Sequence, residues 1–197
     1  MINITFPDGT IKKMKPGITS LEIAMKISEG LARNVLSATV NDKVWDLNRP
    51  IYEDCKIKLN SWSDAEGKSC FWHSSAHIMA EAVLELFPET QVTIGPSIEN
   101  GFYYDFYREK KFNLSDLEVI EKRMHEIVDR DETISREVWS KENSLNYFKK
   151  NNEKFKLELV KAIPENETVT FYRQGNFLDL CRGPHTSSTK KLGHSFK

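Results

Sequence analysis

The chain has 197 residues, 39% hydrophobic and 29% charged, with a formal net charge of −1 at pH 7. That length accommodates one large or two small domains, and the near-neutral balance excludes the strongly basic composition of many nucleic-acid binders. No apolar run approaches the ~20 residues of a membrane span, no signal-peptide pattern opens the chain, and three cysteines do not make a disulfide framework, so a cytoplasmic location is expected.

Residues 1–62 read as a compact β-rich unit. Ile2, Ile4 and Phe6 alternate with polar neighbours, Asp8-Gly9 signals a hairpin, and Ile11 to Met14 forms the return strand. Thr19 and Glu22 are spaced as a capping box, starting a short helix through Leu21, Ile23, Ala24 and Ile27 that Gly30 is expected to end. Short strands follow near Ser37–Val40, Lys43–Leu47 and Lys56–Leu59, with Asn41-Asp42 as a turn. This order suggests a small β-grasp domain.

The polar stretch from Ser61 to Lys68 marks the expected boundary, leaving residues 63–197 as a second domain. A helix is expected from Ser69 to Phe87, stopped by Pro88, with an apolar stripe of Trp72, Ala76, Met79, Ala80, Val83 and Phe87. Asn113-Leu-Ser-Asp-Leu-Glu118 contains another capping box and opens an amphipathic helix through Leu117, Ile120, Met124, Ile127 and Val128. A further helix is expected over Ser140–Lys150, and strands near Ile134–Val138, Thr168–Tyr172 and Phe177–Cys181. The second unit thus reads as α+β, with helices packed on an antiparallel sheet.

Two short motifs carry chemistry. His73-Ser-Ser-Ala-His77 places two imidazoles on one helix face, where they can bind a metal, orient a water and a carbonyl, or sit as ordinary surface histidines. Cys181-Arg-Gly-Pro-His185 puts a thiol and an imidazole at an irregular turn after a strand. Together they make a plausible tetrahedral zinc set, a metal-free hydrolytic pocket, or a nucleophilic Cys–His pair that lacks an obvious orienting group. His125 reads as a residue flanking the core, and Cys55 and Cys70 as structural. Lys149, Lys150, Lys154 and Lys156, and the trio Arg182, Lys190 and Lys191, are the local basic clusters that could meet RNA or could be solvated faces.

The segments HSSAH (73–77), GPSIENGFYYDF (95–106), EKRMHEIV (121–128) and NFLDLCRGPH (176–185) resemble the bacterial-type threonyl-tRNA synthetase family, and the resemblance runs over the whole length. It implies a TGS-like β-grasp domain followed by an editing domain that hydrolyses serine wrongly attached to threonine tRNA. It assigns His73 and Lys156 to water and leaving-hydroxyl chemistry, and Asp179 to the α-amino group of the seryl moiety. Tyr104, His77, Cys181 and His185 would shape the pocket. It also implies no metal in this pocket, ATP, magnesium and zinc only in a catalytic domain not contained here, and a full-length homodimer formed through domains beyond this chain. No membrane partner is expected. A free-standing trans-editing hydrolase, or a non-catalytic RNA-binding module with a structural zinc site, are the competing readings.

Overall fold

The computed structural model describes residues 1–195; Phe196 and Lys197, the end of the expected second domain, lie outside them. The first unit runs β1 (Ile2–Thr5), β2 (Ile11–Met14), β3 (Ile18–Thr19), α1 (Ser20–Ile27), α2 (Glu29–Asn34), β4 (Ser37–Val40), β5 (Lys43–Trp45), β6 (Pro50–Ile51) and β7 (Cys55–Asn60). Its main sheet has the order β2-β1-β7-β4-β5, with β1 and β7 parallel at the centre and the other pairs antiparallel. Alternation places Ile2 and Ile4 inward, where they meet Ile23 and Ala24 of α1 and Val35, Ala38, Leu47 and Ile57 in one core, so a β-grasp fold forms as expected. Asn41 and Asp42 take φ of 45° and 63°, the left-handed pair that a tight two-residue hairpin requires.

The capping box at α1 is present, with the Thr19 hydroxyl accepting from the Glu22 N–H and the Glu22 carboxylate accepting from the Thr19 N–H. Gly30 does not end that helix. Ser28 closes α1 and caps α2 in turn by accepting from the Leu31 N–H, so Gly30 lies inside a second short helix.

The second unit contains α3 (Ala65–Leu86), β8 (Gln91–Val92), β9 (Ser97–Ile98), β10 (Gly101–Phe102), β11 (Phe106–Tyr107), α4 (Leu114–Asp129), β12 (Ile134–Trp139), α5 (Lys141–Lys150), α6 (Lys154–Ala162), β13 (Val169–Gln174), β14 (Phe177–Leu180) and a 3-10 turn at Thr189–Leu192. Strands β12-β13-β14 form an antiparallel sheet. Phe148 of α5 and Val160 of α6 pack with Val169 and Phe171 of β13. Helix α3 packs on α4 through Ile78, Ala82 and Val83 against Ile120, Met124, Ile127 and Val128. The box that starts α4 uses Asn113 and Asp116. Among the described residues no helix is long and apolar enough to cross a membrane.

The second unit also departs from expectation. Helix α3 begins at Ala65 rather than Ser69, because the stretch after Ser61 is a tight turn: Asp64 accepts from the Ser61 N–H, and a Cβ on Gly67 would lie 1.9 Å from the Ser61 carbonyl oxygen. Helix α6 has no counterpart in the sequence reading. Within the basic clusters, Lys156 is 2% exposed and Lys191 donates to the carbonyls of Ala32, Arg33 and Val35 at the C-terminal end of α2, while Lys149, Lys150, Lys154, Arg182 and Lys190 are exposed.

Candidate functional site

Helix α3 holds His73 and His77 one turn apart, with ring centroids 5.4 Å from each other. Strand β14 delivers Asp179, and the chain leaving it delivers Cys181 and His185. The His185 ring lies 4.3 Å from His73 and 4.0 Å from His77. Cys181 Sγ is 3.2 Å from His73 Nε2 and 3.3 Å from His185 Nε2. The two motifs, 108 residues apart at His73 and Cys181, therefore form one cluster, with ligand-type atoms all within 4.8 Å of one another.

Lys156 and Tyr104 complete its wall. Lys156 Nζ lies 2.5 Å from Asp179 Oδ1 and donates to the Tyr104 hydroxyl at 3.3 Å, while that hydroxyl donates to Asp179 Oδ2 at 2.7 Å. Gly95 lets the opposite loop lie flat on the phenol, because a Cβ there would sit 2.1 Å from the Tyr104 ring. A cavity of about 310 Å³ opens here, lined in part by His73, His77, Lys156, Asp179 and Cys181. Five of the seven residues named for the site from the sequence line this cleft, and the buried Tyr104 and His185 lie behind it, bonded to Asp179 and Cys181 respectively.

Hydrogen-bond inventory fixes a tautomer. The Ser74 hydroxyl donates its one proton to the Cys70 carbonyl and accepts from the Thr186 N–H, so its remaining lone pair must accept from His185 Nδ1–H at 3.1 Å. His185 Nε2 then carries the lone pair that faces Cys181. Burial depresses all three imidazoles: His77 falls to about 3, His185 lies well below the ordinary value, and in His73 burial outweighs the nearby Asp179 charge. All three are neutral at pH 7, so the 3.6 Å approach of His77 to Asp179 is not an ion pair. Burial raises the Cys181 thiol to about 12, which argues against a thiolate nucleophile. Burial also works to raise the Asp179 carboxyl, but the Lys156 ammonium and the hydrogen bonds from Lys156 and Tyr104 hold it below its usual range.

The same lone pairs suit a metal. Zinc bonds of 2.0–2.3 Å put tetrahedral ligand atoms roughly 3.3–3.6 Å apart, close to the two Cys181–imidazole distances. His125 stands apart, stacked on His194 with centroids 4.6 Å apart.

Asp46, which the sequence reading passed over, comes from the β-grasp unit and reaches the second motif: it accepts from the His185 backbone N–H at 2.9 Å and from the Tyr172 hydroxyl at 2.8 Å. Nothing local to Trp45-Asp46-Leu47 marks it, since an aspartate after a strand is ordinary turn chemistry.

The β-grasp unit and the α+β domain with this His/Cys cluster each carry a family match, and together the matches define the class, an aminoacyl-tRNA synthetase region. Residues 2–60 match the TGS domain, and residues 169–197 match the threonyl and alanyl tRNA synthetase second additional domain. The chain belongs to the threonine--tRNA ligase family. It is 49% identical over 98% of its length to a threonine--tRNA ligase of Rickettsia bellii, 48% identical over 98% to one of Rickettsia akari, and 47% identical over 100% to one of Maricaulis maris. It spans 31% of the length of each of these relatives.

Proposed function

We propose that this pocket hydrolyses the ester joining serine to the 3′ terminal ribose of threonine tRNA, within a protein that attaches threonine to that tRNA using ATP. The convergence of three neutral imidazoles with a buried Lys156–Asp179 pair in one open cleft supports this reading. Threonine differs from serine by one methyl group, which gives a synthetic site only ~1–3 kcal/mol of discrimination, so a second site that admits the smaller residue has work to do.

Ester hydrolysis needs a placed water, a donor for the developing oxyanion and a proton for the leaving ribose hydroxyl. His73, the partly exposed imidazole, is neutral and can take a proton from water at the cleft mouth. Lys156 offers a fixed ammonium that can stabilise negative charge or return a proton. Asp179 is already engaged by Lys156 and Tyr104, but a carboxylate has about four lone-pair positions, so it can also accept a substrate α-ammonium. The Cys181 thiol, His77 and His185 shape the floor against which the seryl side chain and ribose would rest.

The reading is metal-free. The Lys156 ammonium, paired with Asp179 beside the cluster, supplies the fixed positive charge that a metal ion would otherwise provide. Zinc is the second reading, on the strength of the four-atom spacing. Deacylation of seryl- and threonyl-tRNA by the full-length protein tests both. His73→Ala should slow loss of the serine ester about 10²-fold or more, His125→Ala should leave it unchanged, and exhaustive chelation should not alter it. Normal clearance by His73→Ala refutes the mechanism; loss on chelation that zinc restores, with a bound-zinc content that falls by one in Cys181→Ala, moves the cluster to a metal role.

A further inference from the structure

We propose that Asp46, contributed by the β-grasp unit, is a positioning residue for the hydrolytic pocket, holding the His185 backbone and the Tyr172 phenol from across the domain junction. This rests on the ester-hydrolysis reading of the site. The carboxylate is 8% exposed, and its two oxygens are divided between two partners: Oδ1 accepts from the His185 N–H and Oδ2 from the Tyr172 hydroxyl. Both donors are buried, so without Asp46 each would face the full desolvation cost of an unmade bond. Burial pushes the Asp46 carboxyl up, and the bonds from His185 and Tyr172 act in the opposite direction by favouring its ionised form.

The two partners belong to one mechanical unit. The Tyr172 ring packs edge-on against the His185 ring at 4.5 Å, and its hydroxyl sits where a Cβ on Gly183 would come within 2.0 Å. The phenol therefore fills the underside of the loop from Cys181 to His185, and a shift of either partner moves that loop. His185 is tethered at both ends, its backbone by Asp46 and its ring by Ser74. Only the first tether comes from the other domain.

Docking of the two units does not depend on Asp46 alone. Asn48 donates to the Ser187 carbonyl at 3.2 Å, and Lys191 closes the carbonyl end of α2. Lys191 touches none of the cluster, so it separates positioning from docking.

The test uses single-turnover hydrolysis of seryl-tRNA by the full-length protein. Asp46→Ala should lower the rate constant at saturating enzyme about 10- to 100-fold, the scale of a misplaced reacting group, while half-saturation changes less than about 3-fold. Asp46→Asn should recover most of that rate, because its amide oxygen can still accept from His185 and its NH₂ can donate to the phenol oxygen. Lys191→Ala should stay within about 2-fold of wild type. Hydrogen exchange over residues 182–186 gives a readout free of activity: faster in Asp46→Ala, unchanged in Asp46→Asn. If Asp46→Ala does not fold, Tyr172→Phe reads the same tether, with a smaller fall in rate constant at unchanged half-saturation. Wild-type rates in Asp46→Ala or in Tyr172→Phe, no recovery by Asp46→Asn, or an equal loss in Lys191→Ala would overturn the proposal. If wild type itself does not hydrolyse seryl-tRNA, the substrate reading fails, and the exchange comparison alone decides for or against the tether.

Discussion

Replacing Lys156 with Met removes one half of a buried ion pair and keeps most of the side-chain volume. Lys156 and Asp179 are 2% and 3% exposed, with Nζ 2.5 Å from Oδ1. A buried pair is no guarantee of net stability, but breaking it strands the remaining charge, at a cost of about 3–5 kcal/mol. Of the bonds Asp179 makes, only the one from Tyr104 survives. At about 2–4 °C per kcal/mol for a chain of this size, the unfolding midpoint should fall by roughly 6–20 °C. The dependence on pH should reverse as well. With Lys156 in place the folded carboxyl ionises below its unfolded value, so the stability it contributes is present at neutral pH and lost as pH falls through that folded value. Without Lys156, burial raises the folded value above the unfolded one, and the variant should gain stability as pH falls from 7 toward the ordinary carboxylate range. Thermal unfolding followed by near-UV circular dichroism at pH 7 and pH 5 measures both effects. The double variant Lys156→Met/Asp179→Leu, which has no charge to strand, should be more stable than Lys156→Met alone. A single variant within about 1 kcal/mol of wild type at pH 7, or a double variant weaker than the single, refutes the reasoning.

Two further outcomes follow from Glu81 and Gly95. Glu81 is raised to about 7, by burial first, despite its bonds from Gln174 and Arg130; because its folded value exceeds its unfolded one, stability should rise as pH falls from above 7 toward 4.5, and Glu81→Gln should flatten that slope in urea titrations across the range. Gly95→Ala should force the loop off Tyr104, since the new methyl would lie 2.1 Å from the ring; slower seryl-ester hydrolysis with a fold unchanged by circular dichroism is expected, and a wild-type rate would show that the loop yields without disturbing the cleft.

Much of the fold was legible because its signals are local. The alternation at Ile2 and Ile4, the Asn41-Asp42 turn and the Thr19–Glu22 box each act within a few residues, and each produced the expected element. Gly30 misled because Ser28 supplies a cap that restarts the helix, overriding the glycine that follows. Helix α6 went unread because it is nine residues long and has no side-chain cap bond, so neither periodicity nor a start signal had room to show. The site divides the same way. HSSAH and CRGPH are visible as spacings, whereas Lys156 and Asp179 look like ordinary surface positions until α6 and β14 turn them inward, and only the family resemblance singled them out. Asp46 had no signal of either kind, because its partners lie 126 and 139 residues away.

That separation also sets an order of assembly on the ribosome. The β-grasp sheet is complete once β7 has emerged, and its core draws on nothing beyond residue 60. His185 follows Asp46 by 139 residues, an interval of roughly 7–28 s at typical synthesis rates. From the completion of β7 until Tyr172 and His185 emerge, the carboxylate of Asp46 has neither of these partners. The later loop arrives at a preformed acceptor, and the cleft takes its final shape only when the second unit closes over the first.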